Sequence, residues 1–386
     1  MHPPMQSDPE SRVQVLRELC LNSPAPDIYI DPLGYEKELG ITKSHDDTSL
    51  DAVDPPSRPM MEIAREFLEG KNKVLLIMGD PGSGKTNFVR RLERELWTEY
   101  PDPNTRIPLL VNLQDFPKIA PDLLAQVLKF EGFNTQQIST LKRSRQFVLI
   151  CDGYDEAQTT GNIYNSNRFN SPGQWCVKLI IACRSDKIGR DSDGRFQPEA
   201  DRYTLENRDI FQKVATAPFT FSQIKEYVER YVAHQRQQHI RQPSGGHRST
   251  RRQLQLEAQG AQDSQPSAEV SYVWDVQRYM ETLADIPNLM ELVKNPYILT
   301  FVPELLTEFA GPAQDVSRSR VSLDALYKRI FDNWMRVSKI RLILKPKSEA
   351  EETAFYGLIE SDFSDTFMET LKDLAVEIYK RQGGNP

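Results

Sequence analysis

Apolar positions repeat along this chain with two different periods, and the change from one to the other divides it. Near the start, Val13, Leu16, Leu19 and Cys20 are spaced as one face of a helix. Pro24, Pro26, Pro32, Pro55, Pro56 and Pro59 then interrupt regular structure, since each fixes its own φ and removes a backbone donor. Met60, Ile63, Ala64, Phe67 and Leu68 restore helical spacing, with Ser57-Arg58-Pro59 as a capping start and Gly70 as a stop. From Lys73 the pattern changes. Val74-Leu75-Leu76-Ile77-Met78 and Phe147-Val148-Leu149-Ile150-Cys151 are short continuous apolar runs, and residues 108–113 and 178–183 are largely apolar, the mark of strands buried on both faces. Residues 211–215 form a weaker fifth run. Between the runs, Phe88, Leu92 and Leu96, then Leu123, Leu124, Val127 and Leu128, mark helix faces. The alternation predicts an α/β fold with a parallel sheet covered on both sides.

After Pro218 the strand runs stop. Residues 222–231, 273–283, 287–293, 298–309, 323–337 and 362–381 carry helical spacing, so this half is expected to be all-α. Residues 235–268 are rich in Gln, Ser, Gly and Arg and poor in apolar side chains, and are expected to be disordered. No internal repeat is present.

The first apolar run leads directly into Gly79-Asp80-Pro81-Gly82-Ser83-Gly84-Lys85-Thr86, a complete G-x-x-x-x-G-K-[ST] between a strand and a helix. The spacing follows from the chemistry of phosphate. Glycines let the backbone turn tightly enough for its amides to face phosphate oxygens, and the helix that starts at Lys85 adds the positive end of its dipole. Lys85 is expected to reach the β- and γ-phosphates, and the Thr86 hydroxyl to ligate Mg²⁺, with Asn87 alongside. The run 147–151 ends in Asp152, which is expected to hold Mg²⁺ from the tip of a strand adjacent to the P-loop strand. Asp155 and Glu156 follow and are candidates to orient or deprotonate an attacking water. Leu179-Ile180-Ile181-Ala182-Cys183 ends in Arg184, either a surface arginine or a residue that senses the γ-phosphate.

Composition narrows the function classes. No apolar run approaches the roughly 20 residues that cross a bilayer, and no basic-then-apolar leader opens the chain. Cys20, Cys151, Cys176 and Cys183 are too scattered for a disulfide framework, and Cys151 and Cys183 read as buried free thiols, which implies a cytoplasmic setting. A net charge of −7 disfavours a protein that coats nucleic acid. The basic stretch 236–252 lies in the polar segment and reads as solvated linker. A guanine-reading Asn-Lys-x-Asp is missing, because Asn72-Lys73-Val74-Leu75 lacks the Asp; this favours ATP/ADP over guanine nucleotides.

With these residues in hand, the chain resembles the NACHT class of STAND signalling ATPases. The resemblance rests on Val74 through Thr86, on Asp152-Gly153-Tyr154-Asp155-Glu156, where a small residue follows the first acid, and on the strand ending in Arg184. Pro218-Phe219-Thr220-Phe221-Ser222 is similar to the point where that class leaves its sheet. Asn295-Pro296-Tyr297-Ile298-Leu299 resembles its helical-domain proline motif, which implies that Pro296 contacts the nucleotide base. Leu326-Tyr327-Lys328-Arg329-Ile330-Phe331 and residues 371–379 resemble the approach to a winged helix. The implied organisation is a lead-in with short helices at 1–69, a P-loop NTPase domain at 70–217, a helical domain at 218–315 with the insertion 235–268, and a helical region at 316–386 leading into a winged helix. Lys294 departs from the family, standing where related proteins have glycine. The winged-helix contact to nucleotide is not found, so a fragment or truncated product is expected. The resemblance implies an ATP/ADP switch with slow Mg²⁺-dependent hydrolysis that self-associates on activation, with effector and sensor partners it does not name. The alternative is an ordinary P-loop ATPase or small-molecule phosphotransferase with a helical lid.

Overall fold

The computed structural model describes residues 8–36, 56–100, 105–116, 119, 121–157, 161–187, 195–198, 210–241 and 274–310, with isolated positions at 328, 329, 331, 332 and 377. Residues 1–307 form one compact unit and residues 308–386 a second. In the first unit, helix α1 (Pro9–Asn22), strands β1 (Leu33–Glu36) and β2 (Arg58–Pro59) and helix α2 (Met60–Glu69) precede β3 (Val74–Gly79). The helix α3 (Lys85–Thr98), β4 (Ile107–Asn112), α4 (Leu123–Phe130), α5 (Thr135–Ser144) and β5 (Gln146–Asp152) follow. Then come α6 (Ile163–Ser166), β6 (Cys176–Arg184) and β7 (Phe211–Thr216). The helical part is α7 (Phe221–Arg241), α8 (Val276–Asp285), α9 (Leu289–Leu292), α10 (Pro296–Leu299) and α11 (Val302–Ala310).

The strands join in one seven-stranded sheet in the order β2-β1-β7-β3-β6-β5-β4. The five strands from β7 to β4 are parallel, and β1 and β2 add an antiparallel edge. The apolar runs alternate between the two faces as pleating requires. On one face Val74, Leu76, Met78, Leu149 and Leu179 pack with Trp97, Leu124, Val127 and Leu141. On the other, Leu75, Ile77, Ile150, Ile180 and Val214 pack with Ile63, Phe67, Phe88 and Leu92 of α2 and α3. Burying each such side chain contributes roughly 1.5–3 kcal/mol, which is why the central strand runs are mostly apolar on both faces.

Four features differ from the sequence expectation. The proline-rich lead-in is part of the body. Tyr35 pairs with Ala215, Val13 and Leu16 enter the core, and Arg94 closes the end of α1 by donating to the carbonyls of Cys20, Leu21 and Ser23. Ser57 does not cap α2; Pro59 occupies the cap position with no side-chain hydrogen bond, because Arg58 and Pro59 are held as a strand against β1. The helix α7 runs through Arg241, seven residues into the segment expected to be disordered. Its Gln and Arg residues are good helix formers, and the first breaker after them is Pro243. The single helical pattern 298–309 is two helices, α10 and α11, broken after Leu299. The remainder of 235–268, the patterns 323–337 and 362–381 and the winged-helix approach lie outside the described residues, apart from helical positions at 328, 329, 331, 332 and 377.

Candidate nucleotide site

The P-loop connects the carboxyl end of β3 to α3, and its glycines are needed for different reasons. Gly82 and Gly84 have φ of 80° and 90°, a left-handed region where a Cβ is strained. Gly79 is in a strand, and its constraint is space. A Cβ there would lie 2.0 Å from Thr216 Oγ1 and 2.6 Å from Ser83 Oγ. The loop's carbonyls are almost all held. Lys85 Nζ donates to the carbonyls of Gly79 (2.6 Å) and Asp80 (2.9 Å) and to Ser83 Oγ (3.3 Å). The Ser83 N–H donates to the Asp80 carbonyl at 3.1 Å, and the Gly84 carbonyl accepts the first bond of α3 from Phe88. Thr86 and Asn87 are exposed on the first turn of that helix.

Sheet order decides what faces this loop. The strand carrying Asp152 is not next to the P-loop strand, as the sequence reading supposed. β6 lies between them, paired in parallel with both. β6 takes a central place, with both of its edges paired. The consequence is that Arg184 sits directly opposite Gly79 in the register. Asp152 ends β5 opposite Asn112. Gly153 then takes a φ of 72°, which accounts for the small residue after the acid, and a 3-10 turn carries Tyr154, Asp155 and Glu156.

The three expected catalytic residues are brought together. Arg184 Nε is 3.0 Å from Asp155 Oδ2 and its NH2 is 3.1 Å from Glu156 Oε1, while the Arg184 N–H donates to Asp155 Oδ1 at 3.2 Å. The Asp155 side chain is 5% exposed, whereas those of Arg184 and Glu156 are 39% and 42% exposed. Burial pushes the Lys85 ammonium below its usual range, and the charges of Asp155 and Asp152 oppose that shift. A desolvated cation whose direct partners are neutral oxygens suits an added anion. The left-handed glycines and the helix start suit a phosphate chain in the same place.

Pro296 opens α10 and is half-buried, and its two neighbours touch the P-loop. Asn295 Nδ2 donates to the Pro81 carbonyl at 3.0 Å, and the Tyr297 N–H donates to the Gly82 carbonyl at 3.2 Å. Lys294, the departure from the family pattern, uses its carbonyl to accept from the Phe219 N–H at 2.9 Å. Its ammonium pairs with Glu291 at 2.6 Å. Sequence reasoning missed Asn295 and Tyr297 as P-loop contacts, although Asn before Pro is a helix-start signal. It also missed Thr216, whose buried Oγ1 has no hydrogen-bond partner among the described residues. No sequence signal marks Thr216.

A parallel sheet with a P-loop at the carboxyl end of a central strand, and acids and an arginine at the neighbouring tips, defines a P-loop NTPase. Residues 73–235 match the model of the NACHT domain, and the chain carries a nucleotide-binding NTPase domain there. Similar solved structures include C. elegans PCH-2, at 11% identity over 70% of this chain and 66% of that one, with a TM-score of 0.33. A Walker-type ATPase of Pyrococcus abyssi matches at 13% identity over 73% and 76%, with a TM-score of 0.34. The S. cerevisiae Hsp104–casein complex in its extended conformation matches at 16% over 45% and 29%, with a TM-score of 0.29. This chain thus spans less than two thirds of the PCH-2 and Hsp104 chains. No curated protein matches the sequence. Among the described residues no helix is long and apolar enough to cross a membrane.

Proposed function

We propose that the chain is an ATP/ADP-responsive signalling switch, a weak ATPase whose bound nucleotide sets whether it self-associates. The observation that carries this reading is the ion-paired state of Arg184. Its guanidinium is held by Asp155 and Glu156 beside the first residue of the P-loop. A γ-phosphate offers that arginine a competing anion, whereas ADP does not. The nucleotide's third phosphate therefore selects between two arrangements of the same side chains, which is the differential affinity a switch requires.

In this reading the loop from Gly79 through Gly84 presents backbone amides to the phosphates, Lys85 neutralises their charge, and Asn87 borders them. Thr86 and Asp152 would hold Mg²⁺, which, when bound, supplies charge neutralisation on the phosphate oxygens. Asp155 and Glu156 orient an attacking water and receive its proton, a role open to Asp155 once Arg184 has moved to the γ-phosphate. Hydrolysis is slow because the same arginine must leave a close pair first. Pro296 borders the base. Residues 70–217 act as the nucleotide domain and 218–315 as the helical domain that closes on it, in a cytoplasmic protein whose effector and sensor partners bind elsewhere.

The test is inter-domain fluorescence transfer or small-angle scattering with ADP and with a non-hydrolysable ATP analogue, on the parent and on Arg184→Ala. The parent should differ between the two nucleotides, and the variant should lose most of that difference while still binding ADP. Identical parent profiles with both nucleotides would overturn the switch.

A further inference from the structure

The carbonyls of the P-loop turn are held by two sources far apart in the sequence. Lys85, inside the loop, takes those of Gly79 and Asp80. The carbonyls of Pro81 and Gly82 are taken by Asn295 Nδ2 at 3.0 Å and the Tyr297 N–H at 3.2 Å. We propose that Asn295 is a positioning residue for the P-loop, latching it from the helical part and slowing nucleotide release. The inference rests on the nucleotide-binding reading but names a residue and a direction of control that the reading does not contain.

The argument is one of peptide geometry. In a planar trans peptide the carbonyl of one residue and the N–H of the next point in opposite directions. Anchoring the Pro81 carbonyl to Asn295 therefore turns the Gly82 N–H away from the helical segment. Anchoring the Gly82 carbonyl to Tyr297 does the same for the Ser83 N–H, which is found on the Asp80 carbonyl within the turn. The latch thus fixes the direction of two loop amides from outside the loop. The approach is tight enough to require glycine for a second reason. A Cβ at Gly82 would lie 2.6 Å from Asn295 Oδ1 and 2.9 Å from Tyr297 Cβ.

Asn295 is itself rigidly placed. Its Oδ1 caps α10, accepting from the N–H groups of Tyr297 (3.0 Å) and Ile298 (3.4 Å). The preceding carbonyl, of Lys294, is fixed to the Phe219 N–H where the chain leaves β7, and Val293 and Leu299 on either side are fully buried. One amide side chain uses its oxygen for its own helix and its nitrogen for the P-loop. Movement of this segment is carried to the loop through that nitrogen.

The two uses can be separated. Asn295→Asp and Asn295→Ser both keep an oxygen able to cap α10, and neither carries an amide donor toward Pro81. The experiment follows hydrogen exchange at amides 82–86 in the nucleotide-free chain, and the release rate of a fluorescent ADP from the loaded chain. In both variants the loop amides should exchange roughly fivefold to tenfold faster, as expected for one lost hydrogen bond of about 1 kcal/mol, and ADP should leave faster by a similar factor. Exchange at 297–306 should stay at the parent level. Parent-like loop exchange and release in both variants would overturn the proposal. So would a change in the Asp variant alone, which would mark charge repulsion, or a matching rise across 297–306, which would mark a lost helix cap. The exchange measurement needs no nucleotide, so it tests the latch even where ADP binding by the parent fails and the nucleotide reading falls.

Discussion

The two ends of the parallel sheet each hold a partly or fully buried lysine on backbone carbonyls, and the difference between them separates what is for the ligand from what is for the fold. At the carboxyl end, Lys85 bonds the carbonyls of Gly79 and Asp80 and the hydroxyl of Ser83. The field of Asp152 and Asp155 reaches it there. At the amino end, Lys178 of β6 is only 4% exposed. It bonds the carbonyls of Phe67 (2.9 Å), Gly70 (2.7 Å) and Asn72 (2.5 Å) and lies 4.9 Å from the Phe67 ring centre. Lys178 closes the end of α2 and ties it to the strand that follows, and its charged neighbours, Lys73 and Arg106, are of like sign. One lysine has all three acceptors on the main chain and nothing left to do. The other has a weaker third acceptor in the Ser83 hydroxyl at 3.3 Å, nearby acids and a loop with two left-handed glycines. Open α/β sheets bind ligands at the carboxyl ends of their strands, and of these two lysines Lys85 is the one at that end.

Breaking that comparison should give opposite phenotypes. The largest expected effect is on Lys85→Ala, which should weaken ADP and ATP by about 2–4 kcal/mol, on the order of 30- to 1000-fold, through loss of a charged phosphate contact. The denaturation midpoint of the nucleotide-free protein should move little. Titration calorimetry with a parallel melt checks both, and unchanged affinity would remove Lys85 from the site.

Lys178→Met should do the reverse. Three main-chain carbonyls lose their donor, which should cost about 2–4 kcal/mol of stability, with nucleotide affinity near the parent's wherever the chain is folded. The same lysine gives a pH signature. Burial lowers its ammonium from 10.5 to about 8. The unfolded chain therefore binds more protons than the folded one between those values. The penalty is complete below the folded value and is relieved as pH rises toward the unfolded one. The stability of the parent minus that of Lys178→Met should increase between about pH 8 and 10.5, read as denaturant midpoints. A flat difference would mean that the ammonium stays charged throughout, held by its three acceptors.

The smallest effect sharpens the picture of the carboxyl end. Thr216 places a buried hydroxyl, unpartnered among the described residues, against Gly79. Thr216→Val keeps the shape and removes the unpaired group, so the nucleotide-free protein should gain about 1 kcal/mol. A loss of stability in chemical denaturation would show that the hydroxyl is satisfied.

Much of this molecule is legible in one dimension because its determinants are local. The P-loop is a contiguous string whose glycines are dictated by backbone conformation, as the left-handed Gly82 and Gly84 bear out. Residues 74–78, 147–151 and 179–183 read as buried strands, since short, wholly apolar runs bounded by turns fit strands covered on both faces. Cys151 and Cys183 read as buried free thiols on the same ground, and they are so in the fold.

What the sequence could not decide is anything set by the order of strands or by residues two hundred positions apart. Nothing local says that β6 inserts between β3 and β5, yet that insertion puts Arg184 beside Gly79 and within reach of Asp155 and Glu156. Nor does a pattern of prolines reveal that Leu33–Glu36 pairs with β7, because edge pairing depends on which backbone edge is left open after the central strands have assembled. Asn295 could be read as a helix cap from its own neighbourhood, through its side-chain oxygen. That its nitrogen holds the Pro81 carbonyl follows only from the packing that brings α10 onto the P-loop, where a turn with outward carbonyls must find donors once water is displaced.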